Sequence, residues 1–202
     1  MTLWRGKEPL VLASQSKARQ ALLANAGITF ESDPADIDER VIEASSGFSR
    51  PGEIAGLLAR EKARSVSIRR PEQYVIGADQ TLALETRTFN KPAGRAQAAD
   101  QLRALAGRRH ELHAAVAVAC DGHLLFEHVS IARMTMRSLT DTEIETYLDE
   151  AGNAVMSSVG AYQLEGLGIH LFERIEGDHF TILGLPLLEL LAFFRSRHLL
   201  GV

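Results

Sequence analysis

The chain contains a single cysteine, Cys120, so it forms no intrachain disulfide and holds no Cys-x-x-Cys metal pair. Cys120 sits beside a turn signal and reads as inert. A basic stripe is also missing. The 22 Lys and Arg residues are outnumbered by 26 Asp and Glu, for a formal net charge of -4. That balance speaks against a nucleic acid duplex as partner, and any phosphate site must come from a local cluster. No apolar run reaches membrane-spanning length; the Leu-rich stretch Leu183–Phe194 is interrupted by Gly184, Pro186 and Glu189. Met1–Leu12 mixes basic and acidic residues without a long apolar run, unlike a secretory leader. The phosphate loop ending in Gly-Lys-Ser/Thr and the dinucleotide pattern Gly-x-Gly-x-x-Gly are both absent. His110-Glu111-Leu112-His113 has the wrong spacing for a paired-histidine zinc motif, and on a strand its two histidines point to opposite faces. No Ser/His/Asp set is assembled by spacing, and no repeat, low-complexity segment or linker is visible. These absences predict a cytoplasmic globular protein with no membrane partner. Its 202 residues suffice for one sizeable core.

Hydrophobic patterning is organised around Tyr74–Leu84. Tyr74–Ala78 reads as a short buried strand, Asp79 as a carboxylate just past its end, and Thr81–Leu84 as a second strand. A carboxylate there either caps a turn or is held by a metal, a cation or acid/base work. Lys91-Pro92 follows closely. Upstream, Pro9–Ala13 predicts a strand running into Ser14-Gln15-Ser16-Lys17-Ala18-Arg19 and a helix stopped by Gly27. That junction suits an anion, although Ser14 or Ser16 also serves as a plain N-cap. Ile28–Phe30 suggests a strand. The acidic run Asp33–Glu39 is either a solvated loop or a source of oxygen ligands for a hard cation. A helix spans about Pro51–Ser67, with Lys62 late in it, a surface lysine unless that end faces a site.

Further along, a helix is expected over Gly94–Ala106, a central strand over Glu111–Ala119, and a hairpin at Asp121-Gly122 leading into His123–Met136. Thr140-Asp141-Thr142-Glu143 is a capping box. Gly160–Gln163 and Gly168–Ile175 read as strands, and a last helix follows Gly184-Leu185-Pro186. Strands and helices alternate and then a hairpin appears, which predicts an α/β fold with a mixed sheet.

Several segments together resemble the Maf family of nucleoside triphosphate pyrophosphatases. They are Leu12-Ala13-Ser14-x-Ser16-x-x-Arg19, Asp38-Glu39, Glu61-Lys62-Ala63, Gly77-Ala78-Asp79-Gln80, Lys91-Pro92, Leu105-Ala106-Gly107-Arg108-x-His110, Gly160-Ala161-Tyr162, Glu165-Gly166-x-Gly168-Ile169 and Gly184-Leu185-Pro186-Leu187. They fall in family order across nearly the whole chain. The resemblance implies one Maf-like domain over residues 1–202, a mixed twisted sheet flanked by helices, two lobes around a nucleotide cleft, and a homodimer. It implies hydrolysis of a nucleoside triphosphate to monophosphate and pyrophosphate with a divalent metal, Mg²⁺ or Mn²⁺, in a house-cleaning role. Asp79 matches the family's proton acceptor. Water attack on the α-phosphorus needs a base and a way to neutralise pyrophosphate. Asp79 suits the first task, Glu39 and Asp79 suit the metal, and Ser14, Arg19, Lys62 and Lys91 suit the triphosphate.

Gln80 and Glu165 look like the family's 7-methyl-GTP subgroup; the dTTP/UTP subgroup has Thr and Gln there. An ionised Glu165 would accept from both guanine donors, N1–H and the 2-amino group. Two positions depart from the family pattern. Lys17-Ala18 stands where proline and then an aromatic or arginine are usual, and Ala114-Ala115 stands where Thr-Gly is common. Ala18 occupies a specificity position and offers no ring to stack on a cationic base. The alternative readings are a dTTP/UTP pyrophosphatase, or a nucleotide-binding regulator of cell division with little turnover.

Overall fold

A computed structural model describes residues 3–201. Met1, Thr2 and Val202, the outermost positions of the amino-terminal stretch and of the expected domain span, lie outside it. The strands are β1 (Leu10–Leu12), β2 (Phe30–Ser32), β3 (Val75–Leu84), β4 (Arg87–Phe89), β5 (Arg109–Cys120), β6 (His123–Met136) and β7 (Phe172–Glu176). The helices are α1 (Lys17–Asn25), α2 (Glu39–Ser46), α3 (Pro51–Arg69), α4 (Arg95–Leu105), α5 (Asp141–Ala151), α6 (His179–Ile182) and α7 (Leu187–Ser196). The sheet order is β2-β1-β3-β5-β6-β7, with β4 on β3. It is mixed, as expected: β1 runs parallel to β2 and β3, whereas β4 is antiparallel to β3 and β7 to β6. Among the described residues no helix is long and apolar enough to cross a membrane.

The chain divides into two compact units. The first takes the chain up to Gln80, then His113–Ser130, then the chain from His179 onward; the second takes Thr81–Leu112 and Ile131–Asp178.

In the first unit, side chains alternate across the sheet because strand periodicity is two. Leu10, Leu12, Ile76, Ala78, Val116 and Val118 pack with Leu22 and Leu23 of α1 and with Leu187, Leu190 and Phe194 of α7. Each larger aliphatic side chain buried there contributes roughly 1.5–3 kcal/mol. Trp4 closes this cluster, edge-on to Tyr74 and Phe194, with its indole N–H donating to the Glu8 carbonyl at 2.8 Å. The opposite face is lined with small residues. Ala115, Ala117 and Ala119 meet Ala55, Ala59 and Ala63 of α3, which recur every four residues along one stripe. Gly77 completes the close approach: a Cβ there would overlap the Ala59 carbonyl and the Ala63 backbone. At the tip of the β5–β6 hairpin, Asp121 (φ 49) and Gly122 (φ 77) both adopt left-handed backbone, the geometry of a two-residue turn.

In the second unit, α4 packs on α5, and Leu82, Leu102, Leu105, Ile144, Leu148, Met134 and Met136 are fully buried. The capping box is formed, with Thr140 accepting from the Glu143 N–H and Glu143 accepting from the Thr140 N–H. The predicted strands at Gly160–Gln163 and Gly168–Ile175 are corrected. Val159–Ala161 and Leu167–Leu171 are 3₁₀ turns, and only Phe172–Glu176 is strand. Gly160 (φ 79) and Ala161 (φ 60) are left-handed, which extended pairing does not allow.

Candidate functional site

Two structural findings create the site in the first unit. Asp79 does not follow a strand end, as expected from sequence; β3 runs unbroken from Val75 to Leu84 and Asp79 lies mid-strand. Alternation sends Gly77 and Asp79 to the α3 face. The glycine lets α3 come close, and Lys62 on that helix meets the carboxylate. Lys62 Nζ lies 2.6 Å from Asp79 Oδ1, and both side chains are only 12% exposed. A carboxylate in a buried strand is costly alone; here an ammonium compensates it. Lys62 is therefore not a surface lysine.

Lys62 Nζ also lies 2.8 Å from Glu39 Oε1, whose side chain is half exposed. Glu39 opens α2, a helix not expected from sequence. The acidic run thus splits into three roles. Asp33 is gripped by Arg69 and Arg70, which hold its carboxyl down at about 2, with the Arg69 hydrogen bond foremost. Asp38 caps α2, accepting from the Arg40 and Val41 N–H groups. Glu39 alone of the three pairs with Lys62.

The Ser14–Arg19 turn supplies the remaining groups. Ser16 caps α1 by accepting from the Arg19 N–H, and Ser14 Oγ accepts from the Ser16 N–H at 3.2 Å. Arg19 reaches back under the turn. Its Nη1 donates to Ala78 O at 2.9 Å and to Ser14 Oγ at 3.2 Å, and its Nε donates to Gly184 O at 2.8 Å. Burial lowers its pKa, offset by the charges of Asp79 and Glu39. Lys17 is exposed and Ala18 half-buried in the first turn of α1. Gln80, on the other face of β3 from Asp79, donates through Nε2 to the Thr181 and Ile182 carbonyls at 3.1 and 3.0 Å. Lys91 and Glu165 belong to the second unit, where both are exposed, Lys91 after β4 and Glu165 in the turn before Leu167–Leu171.

The donor set fits a hard divalent cation in one respect. Asp79 and Glu39 are two oxygen donors held near each other, but the point their oxygens share is filled by Lys62 Nζ, so an ion binds both only once that ammonium has moved aside. Among the described residues no group of three or more His, Cys, Asp or Glu could hold a metal. An ion there would draw its other ligands from water or substrate oxygens, the usual habit of Mg²⁺.

His110 is a buried titratable group of the second unit, 1% exposed. Its Nε2 lies 2.7 Å from Tyr162 Oη, and its Nδ1 has no hydrogen-bond partner among the described residues. Burial lowers its pKa to about 4, so the ring is neutral near pH 7.

The fold and the site define an α/β protein with a lysine shared by two carboxylates beside a capped helix start. The family model described as Maf-like protein matches residues 9–197. The chain belongs to the Maf family. Proteins named nucleoside triphosphate pyrophosphatase from Bradyrhizobium diazoefficiens and Nitrobacter winogradskyi are 68% and 67% identical over 202 residues, covering all of this chain and of each relative. A 7-methyl-GTP pyrophosphatase from Rhizobium etli is 52% identical over 189 residues, covering 93% of this chain and 95% of its own.

Proposed function

We propose that the protein hydrolyses a nucleoside triphosphate to the monophosphate and pyrophosphate. The observation that carries this reading is the convergence of Asp79 and Glu39 on Lys62, in a chain whose full-length relatives bear that activity in their names. In the reaction, a water oxygen bonds to the α-phosphorus and the α–β bridging P–O bond breaks. Pyrophosphate leaves with the electron pair. Asp79 orients the water and takes its proton, a role open to a carboxylate within hydrogen-bond reach. The Lys62 ammonium, already against Asp79, neutralises charge on the phosphates. Ser14 and the start of α1 offer a hydroxyl and backbone N–H groups to an oxyanion. Asp79 and Glu39 would hold Mg²⁺ or Mn²⁺, whose contribution is to offset negative charge on the phosphate oxygens.

For the base, we favour a guanine carrying a 7-methyl group. The 52% identical relative of that name and the two-acceptor chemistry of Glu165 support this. Glu165 lies in the second unit, and its part here rests on its chemistry alone. The test is pyrophosphate release from 7-methyl-GTP, GTP, dTTP and UTP with Mg²⁺ or Mn²⁺, beside Asp79→Asn. The expected outcome is release led by 7-methyl-GTP, falling at least about 100-fold in the variant. Clear preference for the pyrimidines would overturn the base assignment. No release from any of the four would overturn the reaction.

A further inference from the structure

One stripe of α3 meets three points of the acidic run in reverse order. Lys62, Val66 and Arg69 recur at i, i+4 and i+7, so they line one side of the helix. Lys62 Nζ lies 2.8 Å from Glu39 Oε1. Val66 belongs to a buried cluster with Val11, Ala13 and Val75, and Ala35 packs on that cluster. Arg69 grips Asp33 with a fork, Nη2 to Oδ1 at 2.7 Å and Nε to Oδ2 at 3.4 Å, and its Nη2 also donates to Pro34 O at 2.6 Å. Arg70, just past the helix end, donates from Nε to Asp33 Oδ2 at 2.7 Å and from Nη1 to Glu31 Oε2 at 3.3 Å. The run is thus a strap laid antiparallel along the helix. Residues 34–38 belong to no helix or strand, so no ladder fixes their course. The step from Lys62 to Arg69 is about 10 Å along the helix axis, whereas a free segment from Asp33 to Glu39 can reach about 20 Å. Fastening at Asp33, Pro34 and Ala35 removes that slack. The helix that Glu39 opens adds little hold of its own, because α2 has no buried residue.

From this geometry we infer that Arg69 and Arg70 are positioning residues that act through Glu39: by holding Asp33 and Pro34 at the end of α3, they fix where the strap delivers the Glu39 carboxylate, at Lys62. The catalytic half of this inference rests on the reaction proposed above; the strap itself does not. A single exposed ion pair fastens weakly, but a forked one shared by two guanidiniums holds a defined geometry. Arg69→Met removes the fork and the bond to Pro34 O while keeping an apolar stem. Arg69→Lys keeps the charge and loses the fork. Asp33→Asn weakens the same joint from the other side.

The experiment is a double-mutant cycle on pyrophosphate release from the best of the four nucleotides, with Arg69→Met, Glu39→Gln and the pair. Amide hydrogen exchange is followed at Ile42, whose N–H donates to Asp38 O in the first turn of α2, and at Ala13, whose N–H donates to Ile76 O within the sheet. The strap predicts that Arg69→Met lowers kcat/KM about 10- to 100-fold, the loss expected of a misplaced group, with Arg69→Lys in between. In the Glu39→Gln background the same change should cost less than about twofold, because the carboxylate it served is gone. Exchange at Ile42 should quicken in Arg69→Met and in Asp33→Asn, with Ala13 unchanged. An equal loss of kcat/KM in both backgrounds would overturn the positioning role and leave Arg69 a general stabiliser. Unchanged exchange at Ile42 in both variants would overturn the strap. Asp33→Asn takes the place of Arg69→Met in the cycle if the latter does not fold. A wild-type protein inactive on all four nucleotides would remove the reaction, and the exchange comparison would still decide whether the strap exists.

Discussion

Lys62 stands at the meeting point of two carboxylates, 2.6 Å from Asp79 and 2.8 Å from Glu39. An ammonium is a compact point charge with three donors, which suits two separate oxygens better than the planar fork of an arginine does. Lys62→Met therefore leaves Asp79 and Glu39 near each other without their shared cation. We expect kcat/KM for pyrophosphate release to fall by about 100-fold or more, as when a group stabilising developing charge is removed. Lys62→Arg should keep part of that activity. Steady-state kinetics on the best nucleotide checks both, and wild-type turnover in Lys62→Met would dismiss the ammonium from the reaction. At this scale the sequence showed the right residue types but not their pairings. Residue 62 reads as a solvated lysine because only the close approach at Gly77, a non-local fact, turns that helix face toward Asp79.

Among the elements, α3 and β3 matter most, because their separation sets the Lys62–Asp79 distance. That separation is kept small by the alanine stripe of α3 and by Gly77. Gly77→Ala should force the helix away from the strand. Overpacking of this kind costs about 1–3 kcal/mol, or roughly 2–4 °C of melting temperature per kcal/mol in a chain of this size. Activity should fall further than stability, because the same displacement separates Lys62 from Asp79. Thermal melts beside kinetics check this, and an unchanged melting temperature would show that the contact is slack.

Elements with strong periodicity or caps were legible in the sequence: α1, α3, α4, α5 and the β5–β6 hairpin. Of those that were not, three are instructive. The strand β3 reads as two because a carboxylate breaks its apolar run, and nothing local announces the lysine that compensates it. The helix α2 buries no residue, so it has no apolar stripe to detect. Its one local signal was Asp38 as N-cap. The turns at Val159–Ala161 and Leu167–Leu171 mix apolar residues with glycines, and that composition does not separate a strand from a 3₁₀ turn.

For the whole molecule, the acid limb of stability is shaped by a buried histidine and by tethered carboxylates, His110 and Glu143 in the second unit and Asp33 in the first. His110 in the second unit has its pKa lowered from 6.5 to about 4 by burial. The unfolded chain therefore binds this proton first, so stability is full above pH 6.5 and is lost as pH falls toward 4. Asp33 in the first unit is lowered from 3.8 to about 2 by Arg69 and Arg70. Its contribution is full above pH 3.8 and is lost as pH falls through 2. Urea unfolding at a series of pH values should show a falling midpoint between pH 6.5 and 4 that His110→Gln flattens. Asp33→Asn should leave that limb in place and only lessen the loss below pH 4, because the Thr140 N–H and Arg137 also hold the Glu143 carboxyl down at about 2. A midpoint in the wild type that is level from pH 6.5 to 4 would contradict the burial of His110.

Trp4, the chain's one tryptophan, is wedged between Tyr74 and Phe194 in the first unit. The second unit contains no indole, so emission excited at the red edge of protein absorbance comes from the first unit alone. Asp79, Lys62 and Glu39 lie in that same unit. The molecule therefore carries its own optical label on the half that holds its charged cluster, and loosening of that half is visible without any dye.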